Sequence, residues 1–189
     1  MNLNMETAKT ILAKYTTEPH LFTHAIAVSG AMGAMARHFG EDEELWRAVG
    51  YLHDVDYEQY PEEHLQHTEE MLSKEGIAPE FIRAILSHGY SICTDVLPET
   101  NLEKSLFIVD ELTGIIHACA RMRPLGITDL TVKSVMKKFK DKKFAAGCDR
   151  ALITKGAEML GMDVPEVTGL CIEGMKPFAA ELGLLPKAE

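Results

Sequence analysis

Residues 21–40 read LFTHAIAVSGAMGAMARHFG, and this stretch constrains the fold more than any other. Ala25, Ala27, Ser29, Gly30, Ala31, Gly33 and Ala34 crowd small side chains into a run that is apolar almost all round. Such a run suits a helix whose backbone comes close to its neighbours, placed at the centre of a helical core. Pro19, two residues after Thr17, gives the helix a start, and Gly40 gives it a C-terminal cap.

The rest of the chain reads the same way. METAKTILAKYT carries Ile11, Leu12 and Tyr15 at helical spacing. EDEELWRAVGYLHD opens on acidic residues that suit a helix N-terminus and continues into Leu45, Trp46, Val49 and Leu52. Pro61 and Pro79 stand at first helical positions for PEEHLQHTEEMLSKEG and PEFIRAILSHG. Residues 89–101 read as a loop, and a long helix is expected from about Leu102 to Ala120, ended by RMRP. LTVKSVMKKFK, CDRALITKGAEMLG and PEVTGLCIEGMKPFAAELG give three shorter helices. No segment alternates with period two. The expected fold class is all-α: a helical core over residues 1–125 and a helical C-terminal extension over residues 126–189 packed on it.

Composition narrows the partners. A chain of 189 residues that is 46% hydrophobic and 25% charged buries a sizeable core. Its formal net charge of −10 argues against nucleic acid and anionic membranes as partners, while leaving room for a small anionic substrate held by a local basic patch or a metal. Cys93, Cys119, Cys148 and Cys171 form no C-x-x-C unit, so free thiols in a reducing, cytoplasmic setting are expected. The N-terminal apolar stretch is short and interrupted by Lys9 and Lys14, unlike a secretory or membrane segment. The oligomeric state is left open.

The histidines and carboxylates carry the chemistry. His24 lies in the small-residue helix, His53 and Asp54 end the next, His64 opens another and His88 closes the one after. Asp110 sits in SLFIVDELTGII, where an unpaired carboxylate is expensive to bury. Any one of these has an ordinary explanation as a packed or surface side chain. As a series on successive helices, His24 in HLFTHAIAV, His53-Asp54 in YLHDVDY and Asp110 in LFIVDELTG resemble the HD-domain superfamily of metal-dependent phosphohydrolases. His64 and His88 resemble the additional ligands of its two-metal branch, and the resemblance covers roughly residues 18–125. It implies a helical bundle, and metal ligation by His24, His53, Asp54, His64, His88 and Asp110. It also implies hydrolysis of a small phosphorylated molecule, a nucleotide or related phosphoester, by metal-activated water, with Asp54 at the catalytic centre. The donor types suit one or two ions per chain of Fe, Mn, Co, Ni or Zn rather than an all-oxygen Mg or Ca site. Asp54 and His53 diverge by about 100° on a helix, yet at a helix end both can reach one pocket, which lets Asp54 bridge two ions.

Several positions stay open. His67 follows His64 by three residues and competes with it, although Thr68 and Leu72 match the family's spacing from His64. Many relatives follow the His-Asp pair with an apolar residue, Gly and Lys; here Val55, Asp56 and Tyr57 follow. Asp56 and Glu58 read first as solvated loop residues, and otherwise as acids supporting the ligands. Anion binding falls to Arg121, Arg123, Lys137 and Lys138, against the plainer reading of a solvated lysine-rich face. A di-iron oxygenase on the same scaffold, or a non-catalytic metal- or nucleotide-binding regulatory domain, are the alternative functions.

Overall fold

The computed structural model describes residues 3–187, in which nine α-helices and two short 3₁₀ turns are joined by loops, with one isolated bridge between Tyr90 and Thr94. Residues 1, 2, 188 and 189 of the two expected segments lie outside the described residues. No helix among them is long and apolar enough to cross a membrane.

Helix α1 (Met5–Tyr15) starts where Asn4 accepts a hydrogen bond from the Thr7 N–H at 2.9 Å. Helix α2 (Pro19–Phe39) begins on Pro19 and stops at Gly40, whose φ of 70° is the left-handed conformation that ends a helix most cheaply in glycine. Helix α3 (Glu43–Leu52) is capped by Asp42, which accepts from Leu45 N–H at 3.1 Å. Between Ala25 and Ala36 nearly every residue of α2 is buried, as its composition implies. A methyl group added at Gly30 would stand 2.6 Å from the Gly174 carbonyl oxygen, and one at Gly50 would stand 2.8 Å from Met32. Gly30 lets α2 meet a C-terminal helix backbone to backbone, and Gly50 lets the Met32 and Val28 side chains of α2 pack onto α3.

One expected helix is broken. A continuous helix from Pro61 would put His64 and His67 on one face. Instead Pro61–Glu63 forms a 3₁₀ turn, His64 leaves it in an extended conformation, and Leu65 takes a φ of 66°. Helix α4 then runs Thr68–Lys74. Burial of the Leu65 side chain and of the Asp56 carboxylate, which accepts from His67 N–H, offsets the cost of this kink. His64 turns inward as a result, and His67 turns out.

Helix α5 (Pro79–Ser87) and helix α6 (Asn101–Arg121) follow. Thr100 and Glu103 form a reciprocal capping box at the start of α6, and Arg83 pairs with the same buried Glu103. Helices α7 (Val132–Phe139), α8 (Arg150–Leu160) and α9 (Val164–Met175) complete the chain. Ile153, Ala157, Val167, Cys171 and Met175 join Met32, Leu52, Leu112 and Ile116 in one buried cluster. Each fully buried Leu, Ile or Met contributes about 1.5–3 kcal/mol relative to exposure, so α8 and α9 share the core that positions α2 and α6.

Candidate metal centre

Five elements bring the polar residues together. His24 comes from the second turn of α2, His53 and Asp54 from the end of α3, and His64 from the kink before α4. His88 caps α5, and Asp110 comes from the middle of α6.

Their donor atoms fall into two sets. His24 Nε2 lies 2.9 Å from Asp110 Oδ1, 3.1 Å from His53 Nε2 and 3.6 Å from Asp54 Oδ2. His53 Nε2 lies 3.3 Å from the same Asp54 oxygen and 3.4 Å from Asp110 Oδ1. On the other side, Asp54 Oδ1 lies 3.4 Å from His64 Nε2 and 3.7 Å from His88 Nε2, and these two nitrogens are 3.2 Å apart. Asp54 therefore gives one oxygen to each set. Metal–ligand bonds of about 2.1 Å place neighbouring donors roughly 3.0 Å apart in octahedral and 3.4 Å apart in tetrahedral geometry, which is the spacing seen.

The far side of each ring decides what these nitrogens are. Nδ1 of His53 donates to the Gly50 carbonyl at 2.8 Å, and Nδ1 of His88 donates to the Ile85 carbonyl at 2.6 Å. Nδ1 of His64 donates to Asp56 Oδ1 at 3.0 Å. In the neutral ring each of these leaves Nε2 with a lone pair, and the His64 and His88 lone pairs face one another across 3.2 Å. Two facing lone pairs repel unless a cation lies between them, so the donor set fits metal ions. Either His24, His53 and Asp110, or His53, Asp54 and His88, are close enough to share one ion.

Without an ion, the charges compensate within the cluster. Burial disfavours a charged His53, but the Asp54 and Asp110 carboxylates outweigh it and hold the imidazole well above its ordinary pKa. Burial pushes up the pKa of Asp54 and Asp110, and the facing His53 and His24 bring both below the usual carboxylate range. His88 is lowered to about 4 by burial and by its neighbour His53. Burial and then the Asp110 charge raise Glu111 to about 7, although its carboxylate also accepts from Asp149 N–H at 2.8 Å.

A protein-family model, HD domain, matches residues 21–115, half of the chain. The chain belongs to the HD-domain family. No curated protein and no solved structure matches it. The HD-domain segment runs from the start of α2 to the middle of α6 and contains all six clustered residues.

Other sequence candidates divide. His67 is turned away: its Nε2 is 2.7 Å from Glu63 Oε2 and its ring stacks on Tyr60. Asp56, read from sequence first as a solvated loop residue, is fully buried and holds both His64 Nδ1–H and His67 N–H. Glu58 instead accepts from the N–H groups of Thr17 and Glu18, tying down the entrance to α2. The expected anion contacts are mostly elsewhere. Arg123, Lys137 and Lys138 line a separate cleft with Cys119 and Met122, and Arg123 is paired with Asp129 at 2.5 and 2.8 Å. The reason is geometric, because α7 packs at the end of α6 about 16 Å of helix rise beyond Asp110. Arg121 lines a different cavity, which shares His20 and His24 with the metal cleft.

The cleft over the cluster has a volume of about 430 Å³. Tyr57 and Ile92, both exposed, stand at its mouth with Cys93. Sequence reasoning reached neither Ile92 nor Cys93 as part of the site, since both lie in the loop after α5 and carry no pattern that marks them.

Proposed function

We propose that this HD-domain protein is a metal-dependent phosphohydrolase acting on a small phosphorylated molecule, a nucleotide or related phosphoester. The division of the Asp54 oxygens between two donor sets carries the reading, because each oxygen would be available to a separate ion. His24, His53 and Asp110 would hold one transition-metal ion, His64 and His88 the other, and Asp54 both. Such ions supply Lewis acidity, making water nucleophilic near neutral pH and offsetting charge on a phosphoryl group.

The chain's own residues do the rest. Gly50, Ile85 and Asp56 fix the tautomers of His53, His88 and His64, so that each presents Nε2 without reorganisation. Burial of His53 and His88 lowers the local dielectric and strengthens every interaction with charge in the cleft. Glu111, on the cleft wall beside Asp110, is placed to hold or release a proton near neutral pH. No thiol or hydroxyl nucleophile is needed. The free cysteines suit a cytoplasmic setting.

The test is phosphate release from a phosphoester panel by metal-loaded, metal-stripped and Asp54→Ala protein. Stripping should abolish release and re-addition should restore it, while Asp54→Ala should stay inactive whatever metal is added. Normal hydrolysis by Asp54→Ala would sink the assignment. Oxygen consumption by anaerobically prepared iron protein, in place of phosphate release, would move it to a di-iron oxygenase.

A further inference from the structure

A second cavity, of about 510 Å³, lies between α2 and α6 and shares His20 and His24 with the metal cleft. Thr23 and Ala27 of α2 and Thr113, Ala118 and Arg121 of α6 line it, and Leu182 and Gly183 close it. That closure is fixed. His117 Nε2–H donates to the Leu182 carbonyl at 3.0 Å, Ile127 N–H donates to the Leu184 carbonyl at 3.0 Å, and Lys187 N–H donates to the Pro124 carbonyl at 2.8 Å. Residues well beyond the HD-domain match thus form one wall of a space that opens on a residue of the metal cluster.

The charge of this cavity is the reverse of the metal cleft. Asp54, Asp110 and Glu111 line the cleft, whereas none of the residues lining the second cavity is acidic, in a chain whose net charge is −10. Its hydrogen-bond donors are also largely used. Thr23 Oγ1 donates to the Pro19 carbonyl, Thr113 Oγ1 donates to the Asp110 carbonyl, and His117 is spent on Leu182. Arg121 differs: no ion pair or hydrogen bond engages its guanidinium among the described residues, so its five N–H groups are available. It lies eleven residues along α6 from Asp110, about 16 Å of helix rise.

We infer that this cavity receives the non-reacting part of the substrate, and that Arg121 binds an anionic group on it. The substrate is thereby a molecule with two negative groups: a phosphoryl group at the metal cluster and a carboxylate or second phosphoryl group a cavity's length away. This inference rests on the metal-centre reading for the position of the first group. Arg121 is a specificity residue and takes no part in bond cleavage.

Non-hydrolysable probes test it. Alkylphosphonates of graded chain length, each with a matched ω-carboxylate and ω-phosphonate partner, are titrated calorimetrically into manganese-loaded protein. At a matching length the doubly anionic probe should bind about 10- to 100-fold tighter than the plain one, the worth of a charge-assisted hydrogen bond. Arg121→Gln should remove that advantage and Arg121→Lys should keep part of it; the side chain is exposed, so both variants should fold. Whichever second anion binds better names its class. Equal binding of plain and doubly anionic probes at every length overturns the inference, as does an advantage that survives Arg121→Gln. Because these titrations need no turnover, the two readings fail separately. Selective binding without hydrolysis of any phosphoester costs the hydrolase reading alone, and hydrolysis without anion preference costs the cavity inference alone.

Discussion

Asp56 offers the sharpest perturbation of the centre because it touches a proposed ligand without being one. Its Oδ1 accepts from His64 Nδ1–H at 3.0 Å and its Oδ2 accepts from His67 N–H at 3.3 Å, in a fully buried position. Asp56→Asn keeps the shape but leaves a single acceptor oxygen, so the new amide sets N–H against N–H at one of the two contacts. The lost buried hydrogen bond should cost about 1–3 kcal/mol of stability, which at roughly 2–4 °C per kcal/mol for a chain of this size is a readable fall in Tm. With its anionic partner gone, the His64 ring loses its anchor and is freer to turn. Loss of such support weakens metal binding by about 10–100-fold, or roughly 1.4–2.8 kcal/mol. The loss should fall on the ion shared by His64 and His88, while the one shared by His24, His53 and Asp110 is held. Metal content after dialysis against a graded chelator should drop from two ions per chain toward one. If Asp56→Asn keeps both ions at wild-type affinity and melts with the wild type, the role assigned to this carboxylate is wrong.

The metal-free protein should bind metal with release of protons. His53 is held protonated well above the ordinary histidine pKa by Asp54 and Asp110 and must lose that proton to become a ligand, whereas His88, lowered to about 4, has none to lose at pH 7. Affinity should therefore fall as pH drops below the raised pKa of His53, and calorimetry in buffers of different ionisation enthalpy should count about one proton released at pH 7; no buffer dependence would refute it. His64→Ala should lower metal content while His67→Ala leaves it unchanged, because His67 faces Glu63 and Tyr60; elemental analysis of the two purified variants decides this. Gly30→Ala or Gly174→Ala should each destabilise the fold by about 1–3 kcal/mol by forcing α2 from α9, measured as a lower denaturation midpoint, and an unchanged midpoint would contradict the close approach.

Much of the fold was legible because the caps are local chemistry. Pro19 and Pro79 start helices through their fixed backbone geometry, the acidic residues before Leu45 open another, and Gly40 ends one. His24, His53, Asp54, His88 and Asp110 could be read as a series because each occupies a regular place in or at the end of a helix. His64 was named, but its setting was not foreseen. The kink depends on a leucine held at positive φ by burial, and no neighbour in sequence announces it. Asp56 was named with two readings and the solvated one was put first for the same reason: a carboxylate in an acidic, tyrosine-rich turn reads as solvated until the α4 segment folds over it. The lysines after Val132 failed as cleft residues because where α7 packs is a tertiary fact, and helical periodicity carries no information about it.

The two donor sets share one carboxylate, and that would make their occupancies by metal a single equilibrium. An ion held by His24, His53 and Asp110 would draw charge from Asp54 and restrain its carboxylate, whose other oxygen lies 3.4 Å from His64 Nε2, while leaving that oxygen less negative. The restraint favours a second ion and the loss of charge opposes it. Whichever prevails, the influence is reciprocal: the first ion changes affinity for the second by the same factor as the second changes affinity for the first. If both donor sets take an ion, unequal effects would make filling the centre cooperative, and a titration of metal against the stripped protein should then depart from independent binding.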